Sequence, residues 1–420
     1  MTNTPRQVLF ASMIGTTIEF FDFYIFGTAA VLVFPHVFFP AADPLAATLA
    51  SFATFAVAYF ARPIGSAVFG HFGDRRGRKA TLVAALLTMG ISTVAIGLLP
   101  GYATIGIAAP VLLAVFRFGQ GLGLGGEWGG AMLLAVENAP PGKRAWYGMF
   151  PQLGAPIGFL LSGGSFLALS KGLSNEQFLS YGWRVPFLAS ALLVLVGLYV
   201  RLTISETPAF REAMRHGPRV QVPVLSVLRQ HTWALVRGTL LPLSGFVLFY
   251  LMSVFALSWG TTALGYDRNT FLVIQLFGVL FFALTIPLSA LLTERWRKRT
   301  FFWTTIAIGA FGFVMPPLLS SGLMGATVAM VVGFALTGFF YGPIGTLLSE
   351  MFPTTVRYTG CSLTFNLAGV FGASLAPYIA TYLAKTHGLP FVGYYLAAAS
   401  VLTLAGLAGA RDTAAAELTS

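Results

Sequence analysis

Glu19, Asp22, Arg62, Arg117 and Glu127 lie deep inside long apolar runs. Near a bilayer centre each costs about 2.5–3.5 kcal/mol on insertion scales, so residues of this kind are candidates for function and should face an internal cavity. Glu19 and Asp22 are three positions apart and share one helix face. Two carboxylates held close in a low dielectric repel, which favours a proton on one of them near neutral pH. The alternative is permanent ionisation of both, each paired with an arginine. Arg117 keeps its charge, and its planar fork matches a substrate carboxylate. Arg62 precedes Pro63, which breaks the local helix ladder. It either binds an anion, or caps freed carbonyls and pairs with Glu19. Glu127 follows Arg117 by ten positions, about 15 Å along a helix, which suits a gate or an interhelical bond better than substrate contact. Tyr24, Gln120, Gln152, Tyr250, Gln275, Tyr341 and Asn366 are weaker candidates to line the cavity, since interhelical hydrogen bonding is the commoner use of such side chains. Gln152 and Asn366 stand out because each is central in a span that follows a repeated motif.

The elements that must position these groups are membrane helices. The 420 residues are 56% hydrophobic and only 9% charged, against roughly 25% charged in soluble proteins. Twelve apolar runs are expected to span near 8–36, 50–70, 80–99, 103–136, 145–169, 184–203, 234–262, 270–292, 300–319, 323–349, 356–384 and 389–409. Backbone polar groups must be satisfied within lipid, so the spans are helical, and the fold class is an all-α membrane protein. Nineteen of the 25 Lys and Arg fall in the segments on one side and four on the other, which places both termini in the cytoplasm. The net charge of +11 is explained by this asymmetry rather than by nucleic acid. Nothing resembles a cleaved signal peptide, so the first span is expected to insert directly.

The chain reads as two six-helix halves, 1–203 and 234–420, joined by a cytoplasmic linker at 204–233. Gly70-His-Phe-Gly-Asp74-Arg75-Arg-Gly77-Arg78-Lys79 after span two is echoed 220 positions later by Ala290-Leu-Leu-Thr-Glu294-Arg295-Trp-Arg297-Lys298-Arg299 after span eight. Glu137-x-x-Pro140-x-x-x-Arg144 is echoed 213 positions later by Glu350-x-x-Pro353-x-x-x-Arg357, and Gly125 and Gly129 map to Gly338 and Gly342 in that register. Related halves about a central site are the architecture of secondary transporters. The segment RFGQGLGLGGEWGG (117–130) contains GxGxxG, but inside a span rather than between a strand and a helix, so it is no dinucleotide loop. Its glycines instead make a slim helix that neighbours can approach closely.

At these residues the chain resembles the major facilitator superfamily and, more narrowly, its metabolite:proton symporter family. The matching segments are GTTIEFFDFYIFG (15–27), YFARPIGSAVFGHFGDRRGRK (59–79), RFGQGLGLGGEWGGA (117–131), ISETPAF (204–210) and YGPIGTLLSEMFPTTVRYTGCSL (341–363). The texture is most like a subgroup of enteric inner-membrane proteins with no assigned substrate. The resemblance implies a bacterial inner-membrane carrier with the major facilitator fold that takes up a small, mostly carboxylated metabolite with protons. It favours Asp22 over Glu19 as proton carrier, because an acid at about that place in related sugar symporters faces an arginine of span four, here Arg117; Glu19 stays a competitor. It also implies that Asp74, with Arg75, Gly77 and Arg78, latches the halves by contacting the start of span eleven near Thr354–Thr355. Glu137 with Arg144 and Glu350 with Arg357 would extend that latch. A simpler reading is that the four basic residues only hold this loop inside.

Other chemistry lacks residues. The five histidines have no metal-ligand spacing and Cys361 is the only cysteine, so no metal site and no internal disulfide are expected. Neither GxxxxGK[ST] nor Gly-x-Ser-x-Gly occurs, so no ATP-driven pump and no enzyme of that type is expected. The expected partners are a small molecule, an organic acid first, together with protons and the bilayer. A betaine-like zwitterion, uniport, exchange and export are the alternatives. No cofactor is needed if the proton gradient drives transport, and a monomer supplies a complete pathway.

Overall fold

In a computed structural model, residues 5–40, 43–76, 78–137, 139–140, 142–203, 223–353 and 356–408 are described, and all regular structure among them is helical. Span one is Pro5–Leu32, span two Pro44–Arg76 and span three Arg78–Leu98. Span four is Ala108–Leu124 followed by Glu127–Glu137, span five Arg144–Gly172 and span six Arg184–Thr203. Span seven covers Thr232–Thr262. Arg268–Ser320 is continuous in hydrogen bonding but turns at Trp296 (φ −131°, ψ 47°), so it comprises spans eight and nine. Spans ten, eleven and twelve are Leu323–Ser349, Arg357–Thr386 and Pro390–Ala408. The twelve expected runs are therefore present among the described residues, most with ends shifted by a few positions.

Three local features differ from expectation. The expected end of span two is near 70, but its backbone helix continues through Gly70, Gly73 and Asp74 as far as Arg76; two helix-poor glycines do not outweigh the hydrogen bonds a span keeps by running on. Span four is interrupted at Gly125-Gly126. Spans seven and eleven each contain a turn of π-helix, at Leu251–Phe255 and Gly369–Ser374. Such bulges loosen the carbonyl ladder and recur at functional sites. In span seven the loosened carbonyls of Met252 and Ser253 accept from Gln275 Nε2 of span eight at 2.9 and 2.8 Å. Gln275 is thereby used as an interhelical bond rather than as a cavity group.

Glycine sets the contact between spans two and four. A Cβ on Gly121 would collide with the Ala58 carbonyl, and one on Gly125 with the Arg62 carbonyl. Lipid offers helices no hydrophobic drive to associate, so backbone approach of this kind supplies the packing. It brings Arg62 and Arg117 into one neighbourhood.

The interruption in span four has a packing role. The Gly125 carbonyl accepts from Ser66 Oγ and from Asn366 Nδ2, the latter at 3.1 Å. The next carbonyl, of Gly126, accepts from Tyr358 Oη. Both Asn366 and Tyr358 belong to span eleven, so this break clasps the two halves.

Candidate functional site

A cavity of about 50 Å³ lies between the halves, room for a few water molecules. Its charged lining residues are Glu19 and Arg62; Asn366 and four tyrosines, Tyr24, Tyr59, Tyr250 and Tyr341, add polar atoms. The rest of the wall is largely aromatic, with Phe249 at 5.4 Å from Tyr24 and Phe282 at 5.9 Å from Tyr341 between ring centroids.

The halves touch at both ends of this cavity. Toward the termini of spans four and eleven, Trp128 stacks on Phe365 with centroids 3.6 Å apart and planes 7° apart. Gln152 Nε2 donates to the Tyr341 carbonyl at 2.9 Å while its Oε1 accepts from Trp128 Nε1 at 3.3 Å. At the opposite end the hydroxyls of Tyr59 and Tyr250 hydrogen-bond each other across the halves. Further out, Ser170 Oγ donates to Asn269 Oδ1 at 2.6 Å and Arg268 donates to Asn175 Oδ1 at 3.1 Å. These contacts between the halves thus flank the cavity at either end.

A second polar group is buried beside the cavity without lining it. Arg117 Nη1 donates to Gln120 Oε1 at 2.9 Å, and Gln120 Nε2 donates to Thr93 Oγ1 at 2.8 Å. Thr93 Oγ1 stands 3.2 Å from Asp22 Oδ2 and 2.9 Å from the Met89 carbonyl. Its one proton serves one of these acceptors at a time. Ser190 stands beside the same carboxylate. Arg117 and Asp22 are therefore joined through two side chains and not by a direct ion pair. The Arg117 guanidinium is fully buried and lies over the rings of Phe26, Phe23 and Phe55 at 3.9, 4.3 and 5.0 Å.

The structure thereby divides the candidate substrate residues. Arg62, Tyr24, Tyr341 and Asn366 line the cavity, whereas Arg117, Gln120 and Gln152 do not. Of the two candidate proton carriers, Glu19 faces the cavity and Asp22 faces the buried relay. One shared stripe still allows this, because three residues advance a helix by about 300° and leave the two side chains some 60° apart. Thr93 and Tyr59 were not singled out from the sequence. Tyr59 carried a signal, sitting one turn before Arg62; a threonine in an apolar span, such as Thr93, carries none.

The expected latch at Asp74, Arg75, Gly77 and Arg78 lies outside the described side chains, as do Glu137 and Thr354–Thr355. Its repeat counterpart is described. Glu294 Oε1 accepts from the backbone N–H of Trp146 at 3.0 Å, at the first turn of span five. The carboxylate there meets the positive end of a helix. Span five holds in the first half the place that span eleven holds in the second. Glu350 forms a buried ion pair with Arg297 at 2.5 Å, a partner not foreseen. Arg357 Nε donates to the Phe352 carbonyl at 3.3 Å. Arg144 opens span five, and Glu127 is buried in the first turn after the break in span four.

With this geometry in place, comparison with known proteins places the chain. The model of the Major Facilitator Superfamily matches residues 12–377. The chain belongs to the major facilitator superfamily. This transporter is 56% identical to the inner membrane metabolite transport protein YhjE of Escherichia coli strain K12, over 98% of its own length and 95% of that protein's. It is 38% identical to the shikimate transporter of the same strain, covering 90% and 87% of the two chains. It is 33% identical to the proline/betaine transporter of Salmonella typhimurium, covering 97% and 84%. Among solved structures it resembles the partially occluded inward open conformation of the xylose transporter XylE from E. coli, with TM-score 0.75, 17% identity and 96% of each chain covered. The protein is a multi-pass transporter of the bacterial inner membrane and not an enzyme.

Proposed function

We propose that this transporter carries a small carboxylated metabolite inward with protons, by rocking of the halves 1–203 and 234–420 about the cavity between them. The observation that carries the reading is the presence of a cation, Arg62, and an acid, Glu19, in the lining of one cavity, with the buried chain Asp22–Thr93–Gln120–Arg117 reached from Arg62 across the Phe23 ring. Arg62 is the clamp for the substrate carboxylate, to which its fork is matched. Asn366, Tyr24 and Tyr341 are placed to orient the remainder. Asp22 is the proton carrier. On gaining a proton it becomes a donor to Thr93 Oγ1, and Thr93 turns its own proton to the Met89 carbonyl, so the Asp22–Thr93 and Gln120–Thr93 contacts are both kept. Arg117 and Gln120 hold that chain, and Gln152 ties the halves. The latch of Asp74, and that of Glu294, would break as the cytoplasmic side opens.

The charge balance supports one further reading. A cavity holding both signs and walled by aromatic rings also suits a zwitterion with an alkylated ammonium, since ring faces attract such cations. Relatives named for shikimate and for proline/betaine both handle carboxylates, so the two readings share Arg62 and differ in the use of Glu19.

The test is uptake into proteoliposomes under an imposed inward proton gradient, against a panel of organic acids, sugar acids, shikimate, proline and betaines. Accumulation of a carboxylated solute above its equilibrium level supports symport. Equilibration without accumulation would replace it with uniport or exchange.

A further inference from the structure

One aromatic ring is shared by the two arginines. The Arg62 guanidinium carbon stands 4.5 Å from the Phe23 ring centroid and that of Arg117 4.3 Å. Their separation is therefore no more than those two distances end to end. Arg62 belongs to the cavity and Arg117 to the buried relay. Phe23 itself is 1% exposed and lies outside the cavity lining. Tyr59 and Phe55 hold it edge to face, with centroids at 5.3 and 5.4 Å.

Phe23 follows Asp22 directly. Successive residues on a helix point about 100° apart, so one residue reaches Thr93 while the next reaches the arginines. The ring's negative face attracts each guanidinium, while the two cations repel each other. Arg62 has a second ring beneath it, Tyr59 at 4.5 Å, and Arg117 has Phe26 and Phe55. Each arginine's balance between rings, hydrogen bonds and charge is thus set partly by Phe23.

We propose that Phe23 is the positioning residue through which the charge on Asp22 is felt at Arg62. The inference rests on the reading of Asp22 as the proton carrier. With Asp22 ionised, Arg117 is drawn through Gln120 and Thr93 toward the carboxylate. With Asp22 neutral that pull ends, and Arg117 settles on its rings. The Phe23 ring answers by shifting, and Arg62 is re-aimed within the cavity, ready for an anion. The other acids within reach are Glu19 in the cavity and Glu127 behind Asp22; both stay in place in the variants below.

The test needs no substrate. The purified transporter is labelled with phenylglyoxal at one fixed pH, and the rate of adduct formation at Arg62 is read by peptide mass spectrometry. Asp22→Asn is compared with Asp22 in backgrounds carrying Phe, Tyr, Met or Leu at position 23. With Phe or Tyr there, Asp22→Asn should change the Arg62 rate by about threefold or more; with Met or Leu the change should fall below about 1.5-fold. A merely structural Phe23 would alter the rates of all variants but leave the Asp22 effect intact. An equal Asp22 effect with Met, Leu and Phe overturns the proposal, and so does the lack of an Asp22 effect with Phe. Met keeps the bulk if Leu fails to fold. The outcome is independent of gradient-driven uptake by the unmodified protein, so this inference and the symport reading can fail separately.

Discussion

The two halves share a fold and a repeated sequence, yet they divide the work. The first half carries Glu19, Asp22, Arg62, Arg117 and Glu127 within its spans, all buried. The spans of the second half contribute Phe246, Phe249, Tyr250, Phe282, Phe340 and Tyr341 to the cavity, with Asn366 and Thr337 as further polar groups. The second half also contains both π-helical turns of spans seven and eleven. Corresponding backbone positions are used differently as well. In span four the Gly125 and Gly126 carbonyls bond span eleven, across the halves. In span ten the helix is unbroken, and the carbonyl of Phe339, the counterpart of Gly126, accepts from Ser289 Oγ at 2.5 Å within its own half. The difference teaches that the first half holds the ionisable groups buried deep in the spans together with their hydrogen-bonded chain, while the second half supplies a mostly aromatic wall facing them.

Several substitutions would break or sharpen this division. Arg62→Ala should have the largest effect on binding. Loss of a hydrogen-bonded charge contact costs about 1.5–3 kcal/mol, so equilibrium binding measured by calorimetry should weaken roughly ten- to hundredfold. Unchanged affinity would remove the clamp from the first half. Arg117→Lys should come next. A lysine cannot reproduce the planar fork stacked on Phe23, Phe26 and Phe55, so gradient-driven accumulation should fall by about tenfold while affinity changes less than in Arg62→Ala. An equal loss of affinity in both variants would erase the distinction between cavity arginine and relay arginine.

Smaller effects are expected from contacts between the halves. Glu294→Ala removes the acceptor at the start of span five, a dipole contact worth about 0.3–1 kcal/mol. Maximal exchange rate should change by about two- to fivefold with affinity nearly constant, as stopped-flow exchange would show. A change confined to affinity would count against a latch. Tyr250→Phe deletes one hydroxyl of the Tyr59–Tyr250 bridge, worth about 0.5–1.5 kcal/mol. Opening on that side should become easier, read as roughly two- to tenfold faster labelling of a cysteine placed at Ser253, and transport should persist. Slower labelling would exclude the bridge as a closure.

Much of the architecture was legible in the sequence because lipid imposes simple rules. Spans must be long and apolar, loops on one side basic, and buried charges rare, so the twelve helices and the five ionisable residues could be read directly. The identity of the cavity arginine could not. Arg62 and Arg117 are equally buried in apolar runs; what separates them is the rotation of spans two and four, fixed by glycine contacts such as Gly121 on Ala58 and by the rings around Arg117. The Thr93–Gln120 link between Asp22 and Arg117 was hidden for a similar reason, since a threonine at any helical position can bond its own backbone. The turn at Trp296 and the π-helical turns in spans seven and eleven leave no pattern in composition, because they answer to packing between helices rather than to local preference.

The central claim, that Asp22 of the first half couples transport to protons, is tested most directly by one paired measurement. Proteoliposomes containing the unmodified protein or Asp22→Asn are given a carboxylated solute that the unmodified protein accumulates. Counterflow and gradient-driven accumulation are then read side by side. The account predicts that Asp22→Asn keeps counterflow and loses accumulation above equilibrium. Undiminished accumulation by Asp22→Asn would contradict it.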